Sequence, residues 1–253
     1  MARSTPFIWE KALKVLSAEC YGAENDIFEL EIPKRLHDSN PAHPGYRYTP
    51  RLLDSFEHIG PNGRHVCLVL EPMGESFTAF GTWFPNCQVP NRLMKRFAEE
   101  LLLALDYAHE YHIIHTDSMT LNITLCDWGS ASWTDNHLTP LIQPVLLRAP
   151  EVILGAPWGP STDIWNLGAI LLEILDAGDR TLVAKFFDED GKIRDPLPGR
   201  PKAFLEDWIE SLSGSDKEEF VLFLKSTMRI NPDERKTAKQ LLDEVWLEDT
   251  SID

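Results

Sequence analysis

The sequence predicts an α+β protein in two lobes, a small strand-rich unit over residues 1–72 and a mainly helical unit over residues 73–253. Three observations carry this. Short β-compatible runs and turn signals fill the first 72 residues. Helical periodicity takes over from about residue 73. A chain of 253 residues with 43% apolar content can bury a sizeable core.

In the first unit, Lys11 to Leu16 (KALKVL) and Val66 to Glu71 (VCLVLE) read as strands, the second following a Gly-Pro-Asn-Gly turn at Gly60 to Gly63. Between them Asn25 to Leu36 reads as a short helix weakened by Pro33, and Asp38 to Pro50 as loop. In the second unit, Asn91 can cap a helix through Tyr111. Its Leu93, Phe97, Leu101, Leu105 and Ala108 make one apolar stripe, so packing on one side is expected. Ser161 or Thr162 can cap another helix, whose apolar residues from Ile164 to Leu175 cover nearly the whole circumference and place it centrally. Further helices are expected at Phe204 to Ser211, Asp216 to Met228 and Thr237 to Val245. No internal repeat is present.

Lys and Arg number 24 against 40 Asp and Glu, a net charge of −16 that argues against binding a nucleic-acid backbone and fits a basic partner. The longest almost uncharged apolar run, Ile164 to Leu172, is about half of the ~20 residues a membrane span needs. Cys20, Cys67, Cys87 and Cys126 form no Cys-x-x-Cys and read as buried free thiols. With no secretory signal at the N-terminus, a reducing, intracellular location (cytoplasm or nucleus) is expected.

The chemistry concentrates between the two long helices. His115-Thr116-Asp117 is followed by Asn122 and then by Asp127-Trp128-Gly129. A carboxylate, an amide five residues on and a second carboxylate before a glycine suit phosphoryl transfer: one group takes the proton of an attacking hydroxyl and two hold Mg²⁺ on the phosphates. Farther on come Ala149-Pro150-Glu151, Asp163 to Gly168 and Arg235. Taken singly, Asp117 could be a solvated loop acid, His115 a packed histidine, and His109 and His112 exposed side chains. Trp128, Trp133, Trp158, Trp165 and Trp208 read as core or interface material.

In this order the residues resemble those of the eukaryotic protein kinases. His-Thr-Asp with Asn122 is similar to the catalytic loop, Asp-Trp-Gly to the metal motif, and Ala-Pro-Glu to the end of the activation segment. Upstream, Ala12-Leu13-Lys14-Val15 resembles the strand that carries the ATP lysine. Glu29 resembles the helix C glutamate that pairs with it, and Glu31 competes for that role. The resemblance implies a protein-kinase-like two-lobe fold with a small reduced N-lobe, ATP and Mg²⁺ as cofactors, and Asp117 as catalytic base. It further implies Asn122 and Asp127 as metal ligands, Lys14 with Glu29 at the phosphates, and Glu71 to Met73 as the hinge that meets adenine. Glu151 with Arg235, and Asp163, would be structural. Thr116 replaces the arginine that answers an activation-loop phosphate, so the switch is expected to be independent of phosphorylation.

Within the kinases the chain looks most like the SR-protein kinases, on His-Thr-Asp, on DSNPAHPG after helix C and on HIGPNGRHVCLVLEPMG up to the hinge. That implies a serine/threonine kinase acting on basic, Arg/Ser-rich proteins, with no direct nucleic-acid or membrane contact and as a monomer. Four departures support an alternative, a catalytically impaired pseudokinase or truncated kinase that binds basic peptides. No Gly-x-Gly-x-x-Gly precedes Lys14. Met119 stands where a phosphate-neutralising lysine is usual. Asn122 and Asp127 lie too close for the usual hairpin between them. Pro144 replaces a threonine that bonds the catalytic Asp. Losing the first two strands also leaves an open edge at Lys11 to Leu16, which predicts low solubility.

Overall fold

The computed structural model describes residues 11–20, 27–73, 83–85, 88–117, 125–145, 147–176, 206, 209 and 211–248. Strands β1 (Ala12–Val15), β2 (Leu52–Gly60) and β3 (Gly63–Leu70) form one antiparallel sheet in the order β1-β3-β2. The hairpin between β2 and β3 pairs Gly60 with Gly63, and Gly63 takes φ 119°, a backbone angle that suits a residue without Cβ. Strand β2 falls where the sequence indicates no element. Nearly all its residues are exposed, and a bulge between Leu52 and Asp54 interrupts the two-residue alternation. The register sets Lys14 opposite Leu68. On the inner face Leu16, Leu52, Val66 and Leu68 make a small core with Ile27 and Leu30.

Helix α1 (Glu31–Asp38) begins at Glu31 rather than Asn25, and residues 21–26 lie outside the described residues. Pro33 therefore sits in the first turn, where its missing N–H breaks no helical bond, and Ile32 and Leu36 are fully buried. The stretch expected as loop holds a 3₁₀ turn over Pro44–Tyr48. It docks on helix α2 (Asn91–Glu110) through Gly45, at a point where a Cβ would collide with the Leu103 carbonyl. Helix α2 differs from expectation in two ways. Its N-cap is Pro90, with Asn91 inside the helix. It is also buried well beyond one stripe, because Leu102, Ala104 and Tyr107 are as deeply covered as Leu101, Leu105 and Ala108. The Tyr107 hydroxyl donates to the Leu36 carbonyl at 2.5 Å, so α2 joins the two lobes as well as filling the larger one.

A short pair, β4 (Ile113–Ile114) with β5 (Ser132–Trp133), brackets the loops of interest. Helix α3 (Pro150–Ile153) follows, then α4 (Ser161–Asp176), buried along most of its described length as expected. Helix α5 (Gly214–Thr227) matches its expected span within two residues. The last expected helix is only Ala238–Leu241, our α6, opened by a capping box between Thr237 and Gln240. The chain then turns through Val245–Leu247 to bury Trp246 against Phe220 and Phe223. The expected helix at Phe204 to Ser211 lies largely outside the described residues. Cys67 and Cys126 are buried as expected, whereas Cys20 is only partly so, and Cys87 is outside the described residues. No helix among the described residues is long and apolar enough to cross a membrane.

Strand β1 is an outer strand of its sheet, with Leu13 58% and Val15 53% exposed. Among the described residues no strand pairs with its outer edge, and an open edge flanked by apolar side chains invites pairing. The chain is expected to self-associate at micromolar concentration, and Val15→Lys to lower that tendency without unfolding it. A monomeric unaltered chain by light scattering contradicts this.

Candidate active site

Lys14 leaves β1 on the inner face and meets two acids. Its Nζ pairs with Glu29 Oε1 and lies 3.2 Å from Asp127 Oδ1. Glu29 is buried in the turn just before α1, while Glu31 points to solvent, so geometry selects Glu29 as the partner of Lys14. Burial alone would lower the Lys14 pKa. The hydrogen bond and charge of Glu29, with the charge of Asp127, outweigh it and raise the ammonium above its ordinary value. Asp127 adopts φ 61°, uncommon for a residue with a Cβ. Gly129 then passes so close to Glu29 and Asp127 that a Cβ there would sit 3.2 Å from Glu29 Oε2.

These charges stand at the mouth of a cavity of about 210 Å³, walled by Pro33, Pro50, Leu68, Leu70, Met73, Cys126 and Trp128. An apolar cleft ending in a fixed ammonium and a carboxylate suits a ligand with a flat apolar part and an anionic, metal-bound tail. Met73 lines it, with Cys126 Sγ against its sulfur. Glu71 does not: its carboxylate binds Arg51 Nη1 at 3.0 Å, which leaves only its backbone near the hinge. Asn122 and Met119 lie outside the described residues.

Asp117 is held through the two residues before it. The N–H groups of His115 and Thr116 donate to Asp163 Oδ2 and Oδ1 at 2.8 and 2.9 Å, from inside helix α4. His109, expected to be exposed, donates its Nε2–H to the same carboxylate at 2.9 Å, so it is a third anchor rather than a surface group. Only the fold brings the end of α2 to the start of α4, and nothing local in the sequence marks this contact. His115 is fully buried, as the packed alternative predicts. Its Nε2 donates to the Cys126 carbonyl at 2.7 Å and its ring packs edge-on to Trp128, tying His-Thr-Asp to Asp-Trp-Gly. The Thr116 hydroxyl donates to the Ser130 carbonyl at 2.6 Å.

Glu151 and Arg235 form the ion pair expected of them. Two bonds of 2.6 and 2.7 Å join the side chains, both at most 3% exposed. Arg235 also reaches the carbonyls of Arg229 and Ser161 and covers the Trp165 ring, so its donors are satisfied away from water.

A three-stranded sheet and a helix over a helical lobe, with a lysine, a glutamate and an aspartate meeting at the cleft between them, define a protein kinase architecture. The family model described as protein kinase domain matches residues 12–247, and the chain belongs to that family. Members of the family generally use ATP and Mg²⁺. A serine/threonine protein kinase of Aspergillus fumigatus is 30% identical over 292 positions, covering 87% of this chain and 74% of the relative. That alignment is longer than the 253-residue chain itself, so it includes positions of the relative with no counterpart here. The serine/threonine-protein kinase SRPK of Physarum polycephalum is 26% identical over 254 residues, 74% of this chain and 59% of the relative. The dual specificity protein kinase CLK1 of Mus musculus is 28% identical over 192 residues, 64% and 38% respectively. The likeness is thus to kinases of the SRPK and CLK type.

Removing one partner of a buried pair strands the other charge. Arg235→Met is expected to cost about 3–5 kcal/mol in urea unfolding, and adding Glu151→Leu to recover part of it. A single substitution without measurable cost contradicts the assignment.

Proposed function

We propose that the chain transfers the γ-phosphoryl group of ATP to serine or threonine hydroxyls of basic, Arg/Ser-rich proteins, acting inside the cell. In this reading residues 1–72 and 73–253 are the reduced N-lobe and the helical C-lobe. The observation that carries it is the Lys14–Glu29 pair reaching Asp127 across the cleft, because a cation and a carboxylate are then presented together to a nucleotide's phosphates. Adenine fits the apolar cavity against Leu68, Leu70 and Met73, with the hinge backbone from Glu71 to Met73 at its edge. Lys14 holds phosphate oxygens, and Glu29 keeps its ammonium aimed.

The residues suit Mg²⁺. The ion keeps most of its water and needs only one or two protein oxygens beside the phosphates, and Asp127, 55% exposed on its side chain, offers one, with Asn122 as the second. The bound metal would neutralise phosphate charge. Asp117 orients the acceptor hydroxyl and takes its proton. The net charge of −16 speeds capture of an Arg-rich substrate and makes that capture sensitive to salt. Similarity to SRPK and CLK1 supports the substrate class.

A second reading, a pseudokinase that binds basic peptides, is favoured by the lack of a Gly-x-Gly-x-x-Gly before Lys14 and by the place of β1 as an outer strand among the described residues. Phosphate transfer to an Arg/Ser peptide decides between them. The kinase reading expects turnover that falls at least ~100-fold in Asp117→Asn, the usual worth of a general base. No turnover, with a melting midpoint still raised by a basic peptide, selects the pseudokinase.

A further inference from the structure

We infer that Gln143 is a positioning residue that sets the direction of Asp117, by clamping the segment before helix α3 onto Thr116 and helix α4. What it positions rests on the kinase reading above. Gln143 is buried, has φ 66°, and precedes Pro144, a neighbour that itself disfavours helical backbone. A long side chain in that conformation persists only where its surroundings over-determine it. Here they do. The Gln143 N–H donates to the Thr116 carbonyl at 3.1 Å. Its Nε2 donates to the Thr162 carbonyl on α4 at 2.8 Å, and its Oε1 accepts the Ala149 N–H at 2.8 Å. Its carbonyl accepts from Arg148 Nη2 at 2.8 Å and Nε at 3.2 Å. Every polar atom of the residue is engaged.

Thr116 is the other half of the device. It too has φ in the left-handed region, at 65°, and three elements hold it: Asp163 through its N–H, Ser130 through its hydroxyl, Gln143 through its carbonyl. The Thr116 carbonyl lies in the same rigid peptide plane as the Asp117 N–H. A bond to that carbonyl therefore fixes how the chain enters Asp117, and with it where the carboxylate points. The contact from Gln143 to Thr116 is made by neutral backbone groups.

Two variants test this, with kcat and the ATP KM measured separately. Gln143→Ala is expected to lose about a hundredfold in kcat, the scale of a 1 Å misplacement, with the ATP KM within about twofold. Gln143→Glu places an oxygen against the Thr162 carbonyl. It regains a donor only when protonated, and burial raises its pKa. Its kcat relative to the unaltered chain should therefore rise as pH falls from about 8 to 5.5, a response that a merely structural role does not produce. Unchanged kcat in Gln143→Ala overturns the inference, as does a flat ratio for Gln143→Glu. If Gln143→Ala does not fold, the pH response of Gln143→Glu decides alone. If the unaltered chain transfers no phosphate, the kinase reading fails while amide exchange still decides the clamp: faster exchange at Thr116 and Asp117 in either folded variant supports it, and unchanged exchange overturns it.

Discussion

The carboxylate of Asp163 is the constraint on which the rest of the site depends. It is 1% exposed, sits in the first turn of a helix buried along most of its length, and receives three N–H groups from two separate segments. A buried carboxylate without such donors would be costly, and with them it becomes a rigid acceptor. His109 brings in the end of α2, and the His115 and Thr116 amides bring in the loop that leads to Asp117. From Thr116 the order spreads outward to Ser130 beside the glycine of Asp-Trp-Gly, and through Gln143 to the segment that ends at Glu151. The Glu151–Arg235 pair closes the frame on the far side.

The smaller lobe is held differently. Its sheet covers a small core of Leu16, Leu52, Val66 and Leu68, while α1 joins the helical lobe through the fully buried Ile32 and Leu36, with polar links from Tyr107 to the Leu36 carbonyl and from Lys14 across the cleft to Asp127. Lys14 is partly exposed, so its bond to Asp127 adds little to stability. Its consequence is geometric, since it sets β1, the turn before α1 and Asp127 around one cavity.

Much of this was legible in the chain. Lys14, Glu29, Asp127, Glu151, Arg235 and Asp163 are each recognisable because their neighbours in sequence mark them, and the structure pairs Lys14 with Glu29, joins Glu151 to Arg235 and sets Asp163 under the loop before Asp117. The choice of Glu29 over Glu31 needed the structure, because α1 starts at Glu31 and turns that side chain outward. Strand β2 was hidden by its bulge and by its exposure on both faces, which remove the alternation that a half-buried strand shows. The length of α6 was overestimated because Leu242 to Val245 has helical composition, whereas burial of Trp246 bends the chain earlier. His109 and Gln143 were illegible for one reason. Their partners lie 54 and 27 residues away, in His109 with Asp163 and Gln143 with Thr116, and no local pattern announces such pairs.

If Asp163 orders the loop from below, its effect must be separable from nucleotide binding, which depends on the cleft above. The direct measurement is Asp163→Asn, followed for phosphate transfer to an Arg/Ser peptide and for ATP affinity in the same preparation. The asparagine keeps the shape, but its amide can serve the three N–H donors with only one oxygen. The account predicts turnover lowered by about a hundredfold or more with ATP affinity nearly unchanged. Undiminished turnover would contradict it, since the loop would then owe its position to something other than helix α4.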